Sequence, residues 1–224
     1  MLGIFDSGMG GYNSLNSVRQ HFKRENIILL SDRKNAPYGT KSRREILRIT
    51  KENIKTLKAL GCRKILIACC TASTLYPYLT DEEREIATDS LLPTVERVKK
   101  THALRVTMLA TRHTATDGAL SVMLPDVSLT PISAQPLVKF IDEGSCDRRI
   151  TLECKSYLDD LLSKVKATEP ECVILGCTHF HSLKKTIQKL LGTPVISSAH
   201  EGAVAFVKNI KEEQAEDGKT LLLS

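Results

Sequence analysis

Two cysteines stand where acid/base chemistry could be built. Cys69 closes the run Ile65-Leu66-Ile67-Ala68-Cys69-Cys70-Thr71, and Cys177 closes Val173-Ile174-Leu175-Gly176-Cys177-Thr178-His179. In both, a short apolar run delivers a thiol and then a threonine hydroxyl. A thiolate is a competent base near neutral pH, because the ordinary thiol pKa of about 8.5 falls further near a helix start or a cation. A buried cysteine is also a small hydrophobe, so the local sequence alone leaves both readings of these two open. Cys62, Cys146, Cys154 and Cys172 have no such setting and read as core residues. The chain has seven cysteines and no C-x-x-C pair, which argues against a disulfide framework, thioredoxin-like redox chemistry and a zinc ribbon. No metal site is expected.

Asp6-Ser7-Gly8-Met9-Gly10-Gly11 follows the first apolar run and leads into a helical segment. Glycines permit a tight turn and a close backbone approach to a ligand. A dinucleotide fingerprint is not formed, since Asn13 occupies the position of the last glycine in G-x-G-x-x-G. Only Asp32 offers an acid near the end of a second strand. Asn35-Ala36-Pro37-Tyr38-Gly39-Thr40 reads as a turn whose amides could hold an anion, although such turns are common.

The elements that must carry these residues alternate along the chain. Leu2–Phe5, Ile27–Leu30, Lys64–Ala68, Arg105–Leu109, Val127–Ile132, Cys172–Leu175 and Pro194–Ile196 are short, apolar and β-branched, as buried parallel strands are. Amphipathic segments separate them; in the one starting near Arg148, Leu158, Leu161, Leu162 and Val165 share a helical face. Alternation of this kind predicts α/β layers. Cys69 and Cys177 lie 108 positions apart, and Asp6 and Thr111, at the ends of two other strands, lie 105 apart. The near-equal offsets suggest two similar α/β halves, although short apolar strands also coincide by chance. Ligands of open α/β sheets sit beyond the carboxyl ends of the strands. Two facing halves would therefore bring Asp6, Cys69, Thr111 and Cys177 to one cleft.

Composition narrows the function classes. The chain has 224 residues, 42% hydrophobic and 4% aromatic, with a net charge of +6. The basic residues fall in scattered pairs such as Arg43-Arg44 and Lys184-Lys185, interleaved with acids, and make no aromatic-studded stripe for nucleic acid. A mild positive field suits an anionic small molecule. No run approaches the roughly 18–20 apolar residues of a membrane span, and the start lacks the features of a signal peptide. A cytoplasmic protein with no nucleic-acid or membrane partner is expected.

Four motifs together resemble the successive signatures of glutamate racemases, within the aspartate/glutamate racemase superfamily. They are Phe5-Asp6-Ser7-Gly8-Met9-Gly10-Gly11, Pro37-Tyr38-Gly39-Thr40-Lys41-Ser42, Ala68-Cys69-Cys70-Thr71-Ala72-Ser73 and Gly176-Cys177-Thr178-His179. The likeness runs from Leu2 to about Gly202, in order and spacing. It implies two similar parallel-sheet α/β domains with the active site in the cleft between them. They are expected at residues 1–92 and 93–198, with 199–224 a C-terminal helix returning to the first domain plus a polar tail. It implies no cofactor, a small acidic amino acid as substrate, D-glutamate for peptidoglycan as product, and a homodimer. Cys69 and Cys177 would be the two acid/base thiols, with Asp6 and His179 each assisting one. Ser7, Pro37, Tyr38, Gly39, Cys70, Thr71, Thr114 and Thr178 would contact the substrate.

The chain departs from the pattern in places. Cys70 stands where the family carries Asn, and a thiol is a weak donor. Lys139 stands for the acidic residue after Pro-Leu-Val, Leu92-Pro93 for a Glu-Pro pair, and Phe180-His181 for Tyr-Pro. These changes keep two alternatives in view: a racemase for another acidic amino acid such as aspartate, and a catalytically weak homologue with a binding role. Retention of both thiols speaks against the second, because a binder has no need of them.

Overall fold

The computed structural model describes residues 1–144, 146, 151–208, 210–211 and 218–224. The first part of the chain runs β1 (Leu2–Asp6), α1 (Gly11–His21), β2 (Ile27–Ser31), α2 (Arg43–Ala59), β3 (Lys64–Ile67), α3 (Cys70–Ser73), α4 (Asp81–Ile86) and β4 (Ala87–Asp89). Then follow α5 (Leu91–Lys99), β5 (Arg105–Ala110), α6 (Arg112–Thr116), α7 (Ala119–Met123), β6 (Ser128–Ser133), α8 (Gln135–Asp142) and α9 (Leu152–Ala167). The chain ends with β7 (Cys172–Gly176), a 3-10 turn at Thr178–Leu183, α10 (Lys184–Leu191), β8 (Val195–Ser197), α11 (Ser198–Lys208) and β9 (Thr220–Leu223).

These strands form two sheets, ordered β4-β3-β1-β2-β9 and β6-β5-β7-β8. Every pairing is parallel. All five residues of β1 and of β7 are buried, as expected of strands covered on both faces. Period-two alternation decides which layer each side chain meets. Ile65 and Ile67 pack with Ile46, Ile49, Ile54 and Leu57 of α2, while Leu66 faces the opposite layer with Leu15, Ala203 and Phe206. In the second sheet, Val173 and Leu175 meet Leu158, Leu161 and Leu162 of α9, and Ile174 meets Leu91, Val95 and Val98 of α5. Helix α2 begins cleanly because the Ser42 side chain accepts the Glu45 N–H, closing one of the unpaired donors at a helix start.

Two strands lie outside the seven read from the sequence. β4 is only three residues long, and β9 is the Leu-rich tail, which adds to β2 as the sheet's edge. β9 falls in the stretch 199–224, expected as a C-terminal helix plus a polar tail, whose end is thus a strand of the first sheet. The helix expected from about Arg148 is α9, beginning at Leu152 with Thr151 as its cap. Residues 147–150 and the acidic stretch 212–217 lie outside the described residues. Among the described residues, no helix is long and apolar enough to cross a membrane.

Candidate active site

The carboxyl ends of β1, β3, β5 and β7 converge on one small cavity. Its walls are Ser7, Pro37, Tyr38, Gly39, Cys69, Cys70, Thr71, Thr111, Gln135, Val138, Cys177, Thr178 and His179, and its volume is about 30 Å3. That is room for about one water molecule. An amino acid therefore enters only if the two sheets move apart or the lining side chains turn.

Each thiol has its own polar partner. Cys69 caps α3 in extended backbone, and its Sγ lies 3.5 Å from Ser7 Oγ, to which it donates. Burial pushes the Cys69 thiol up to about 12, and the neighbouring Asp6 carboxylate adds to the effect. Cys177 follows β7, and its Sγ lies 3.7 Å from His179 Nδ1. The His179 imidazole is raised to about 11. Burial opposes that rise, and the Asp142 carboxylate, Cys177 and Asp6 overcome it. One thiol thus sits beside a hydroxyl and an acid, and the other beside an imidazole held in its cationic form.

The remaining candidates divide into wall and support. Asp6 is buried and is not on the cavity wall. Its Oδ2 accepts the Gly8 N–H at 3.0 Å and its Oδ1 accepts the Thr178 hydroxyl at 3.0 Å, so it ties the two sheets together at the cavity floor. Burial raises its pKa, against the opposing influence of His179 and the hydrogen bonds. Thr114 also lies behind the wall. Its hydroxyl is 3.2 Å from Thr71 Oγ1 and 3.1 Å from Thr111 Oγ1, and those two are 2.9 Å apart. Thr111, at the end of β5, is the member of this triangle that joins Thr71 on the wall.

Tyr38 is held from behind. Its hydroxyl donates to Asp32 Oδ2 at 2.5 Å and accepts from Asn53 Nδ2 at 2.9 Å. Asp32, the one acid near the end of the second strand, is thereby engaged in holding the Pro37-Tyr38-Gly39 turn. A Cβ on Gly39 would lie 2.5 Å from Gln135 Oε1 and 2.9 Å from Thr111 Cβ, so only glycine lets this turn lean against the second sheet.

The Gly8-Met9-Gly10-Gly11 loop was expected to approach a ligand. It approaches the protein instead. Gly10 N lies 3.2 Å from His179 Nε2, and Asn13 Nδ2 donates to the Thr178 carbonyl at 2.8 Å. Cys70 lines the cavity and also packs with Leu91, Met108 and Ala110, its Sγ 3.9 Å from Ser90 Oγ. Gln135, Val138 and Asp142 of α8 were absent from the sequence-based candidates. Their spacing, i, i+3 and i+7, is the signal that they share a face. Lys139 is exposed and lies 3.8 Å from Glu143.

A family model described as Asp/Glu/Hydantoin racemase matches residues 12–206. A protein of Persephonella marina named glutamate racemase is 33% identical over 213 residues, covering 92% of this chain and 81% of its own length. One of Limosilactobacillus reuteri, with the same name, is 30% identical over 199 residues, covering 87% of this chain and 73% of its own. Among solved structures, glutamate racemase from Francisella tularensis in complex with D-glutamate superposes with a TM-score of 0.84 at 25% identity, covering 99% of this chain and 86% of that one.

Proposed function

The chain belongs to the Asp/Glu/hydantoin racemase family, and from that premise we propose that it interconverts L- and D-glutamate with two cysteines and no cofactor. The observation that carries this reading is that Cys69 and Cys177, from different sheets, open on the same cavity. Inverting an α-carbon requires a base on one face and an acid on the other. One thiol must then be ionised while its counterpart keeps its proton. The surroundings of the two thiols differ in that sense: burial and Asp6 keep Cys69 protonated, and Cys177 faces the His179 imidazole at 3.7 Å. Cys177 would take the α-proton of L-glutamate while Cys69 delivers its own to the opposite face; the reverse reaction exchanges the two roles. The carbanionic intermediate needs hydrogen-bond donors at the substrate carboxylate, for which Thr71, Thr111 and Thr178 are the candidates. Ser7, Pro37, Tyr38, Gly39 and Cys70 complete the substrate contacts. The same reading makes the protein a cytoplasmic homodimer that supplies D-glutamate for peptidoglycan.

Deuterium wash-in tests it. In heavy water the wild-type protein should place solvent deuterium at the α-carbon of both enantiomers, with L-aspartate as the comparison substrate. Cys69→Ala and Cys177→Ala should each abolish racemisation yet exchange one enantiomer only, L with Cys177 remaining and D with Cys69 remaining, because each keeps one base. Symmetrical residual exchange in both variants, or full activity in either, would show the two-thiol mechanism to be wrong.

A further inference from the structure

The cavity has a reactive end and a far end. In the second sheet Ala110 of β5 is level with Gly176 of β7 and with Ser133 of β6. The segments leaving those three strands therefore carry Cys177, Thr111 and Gln135 in a row. Neighbouring strands lie about 4.8 Å apart, which puts β6 about 10 Å from β7. Gln135 is the first residue of α8 and belongs to the cavity wall. Its Oε1 rests against Gly39 of the first sheet, where a Cβ would come within 2.5 Å of it. Gly39 and Gln135 thus mark the end of the cavity away from Cys177.

Side-chain donors are scarce at that end. Pro37 and Val138 carry none, and the Tyr38 hydroxyl donates to Asp32. Gln135 is different. Its Oε1 accepts the Arg112 N–H at 3.2 Å. A backbone N–H cannot accept, so this contact fixes which end of the amide is oxygen. The other end is Nε2, with two hydrogens to give, and among the described residues it has no hydrogen-bond partner. No other wall residue among the described ones carries a carboxamide. A donor pair with its own acceptor already engaged suits a carboxylate, which only accepts.

We propose that Gln135 determines specificity at this site, its Nε2 donating to the side-chain carboxylate of the substrate and so selecting glutamate over aspartate. The assignment rests on the racemase reading, which places the α-carbon between the two sulfurs. A side chain of two methylenes, directed along the row of strands toward β6, then brings its carboxylate to this amide. A side chain of one methylene stops about 1.3 Å short. That shortfall stretches a hydrogen bond of about 2.9 Å beyond 4 Å, where it no longer counts as one. Gln135→Met keeps the length of the side chain and removes the donor. Gln135→Glu keeps an acceptor for Arg112 and sets a negative charge against the ligand. The readouts are kcat and KM for both enantiomers of glutamate and of aspartate. Binding of D-glutamate and D-aspartate by titration calorimetry adds a measurement that needs no turnover.

In Gln135→Met, KM for both enantiomers of glutamate should rise about 10–100-fold, the worth of a hydrogen bond to a charged group. A contact remote from the α-carbon is the same in ground and transition states, so kcat should hardly change. Constants for aspartate should stay as they are, and the preference for glutamate should shrink by the same factor. Gln135→Glu should weaken glutamate further, because like charges then meet. A residue with only a structural role would depress both acids together. An unchanged glutamate-to-aspartate ratio in the two folded variants, a fall in kcat alone, or a wild type faster on aspartate would overturn the assignment while the racemase reading stands. If the wild type binds D-glutamate without racemising it and Gln135→Met loses that binding about tenfold or more, the assignment stands and the racemase reading falls. A wild type that neither binds nor racemises either acid overturns both.

Discussion

Replacing Gly10 with alanine separates two reasons for a glycine at that position. The backbone there has φ −58° and ψ −25°, a conformation open to any L-residue, so alanine brings no dihedral strain. Space is the obstacle. A Cβ would overlap the Thr178 hydroxyl and come within 2.7 Å of His179 Nδ1 and 2.8 Å of Thr178 Cβ. Both residues belong to the turn after β7, so the clash falls between the two sheets. Forcing a methyl group into a packed site costs about 1–3 kcal/mol, and the stiffer unfolded chain returns about 0.4–1 kcal/mol. For a chain of this size 1 kcal/mol corresponds to about 2–4 °C in Tm, so Tm should fall by up to about 10 °C. Turnover should suffer more, because relieving the clash displaces His179 from Cys177, and a misplacement on the order of 1 Å costs about 10²-fold. Gly8→Ala is the control: its Cβ would meet nothing nearer than His179 Cε1 at 3.6 Å, an ordinary contact. Thermal denaturation and initial rates of the two variants, measured side by side, decide the matter. Gly10→Ala as stable and as fast as Gly8→Ala would refute the argument.

Two further outcomes follow from the same geometry. His179 binds its proton more tightly folded, at about 11, than in the unfolded chain, at 6.5, so its contribution to stability is complete below pH 6.5 and declines as pH rises above it. Thermal midpoints should therefore drop between about pH 6.5 and 9 by an amount that His179→Gln removes, and an equal drop in the variant would count against the His179 cation. Cys70→Asn should lower KM for glutamate by restoring an amide donor on the wall, with Ser90 Oγ beside it as a second partner, while Cys70→Ala should remain active; loss of activity in Cys70→Ala would make that thiol more than a filler.

The strand-end chemistry was legible because it is local. An apolar run of four or five residues has to be buried, and the residue that ends it emerges at the edge of the sheet; Cys69 and Cys177 are placed by nothing more than that. The α/β class was legible for the same reason, since β-branched runs alternating with amphipathic segments have few other ways to hide their apolar faces. β4 and β9 left no such trace: three residues carry no period, and Thr220–Leu223 is an exposed edge, where apolar side chains obtain burial only from the neighbouring β2 and from packing that the sequence does not announce. The individual contacts made across the sheets, beyond the meeting of the strand ends, belonged to tertiary structure. The sequence marked Gly10 as permissive, but its purpose is the approach to Thr178 and His179, 168 and 169 positions away. Thr111 rather than Thr114 reached the wall because α6 turns between them. Asp142 showed no motif at all, only a place on one face of α8. Its partner was decided when α8 packed against the turn after β7, and a contact between side chains 37 positions apart is set by the packing of whole elements, which no local spacing encodes.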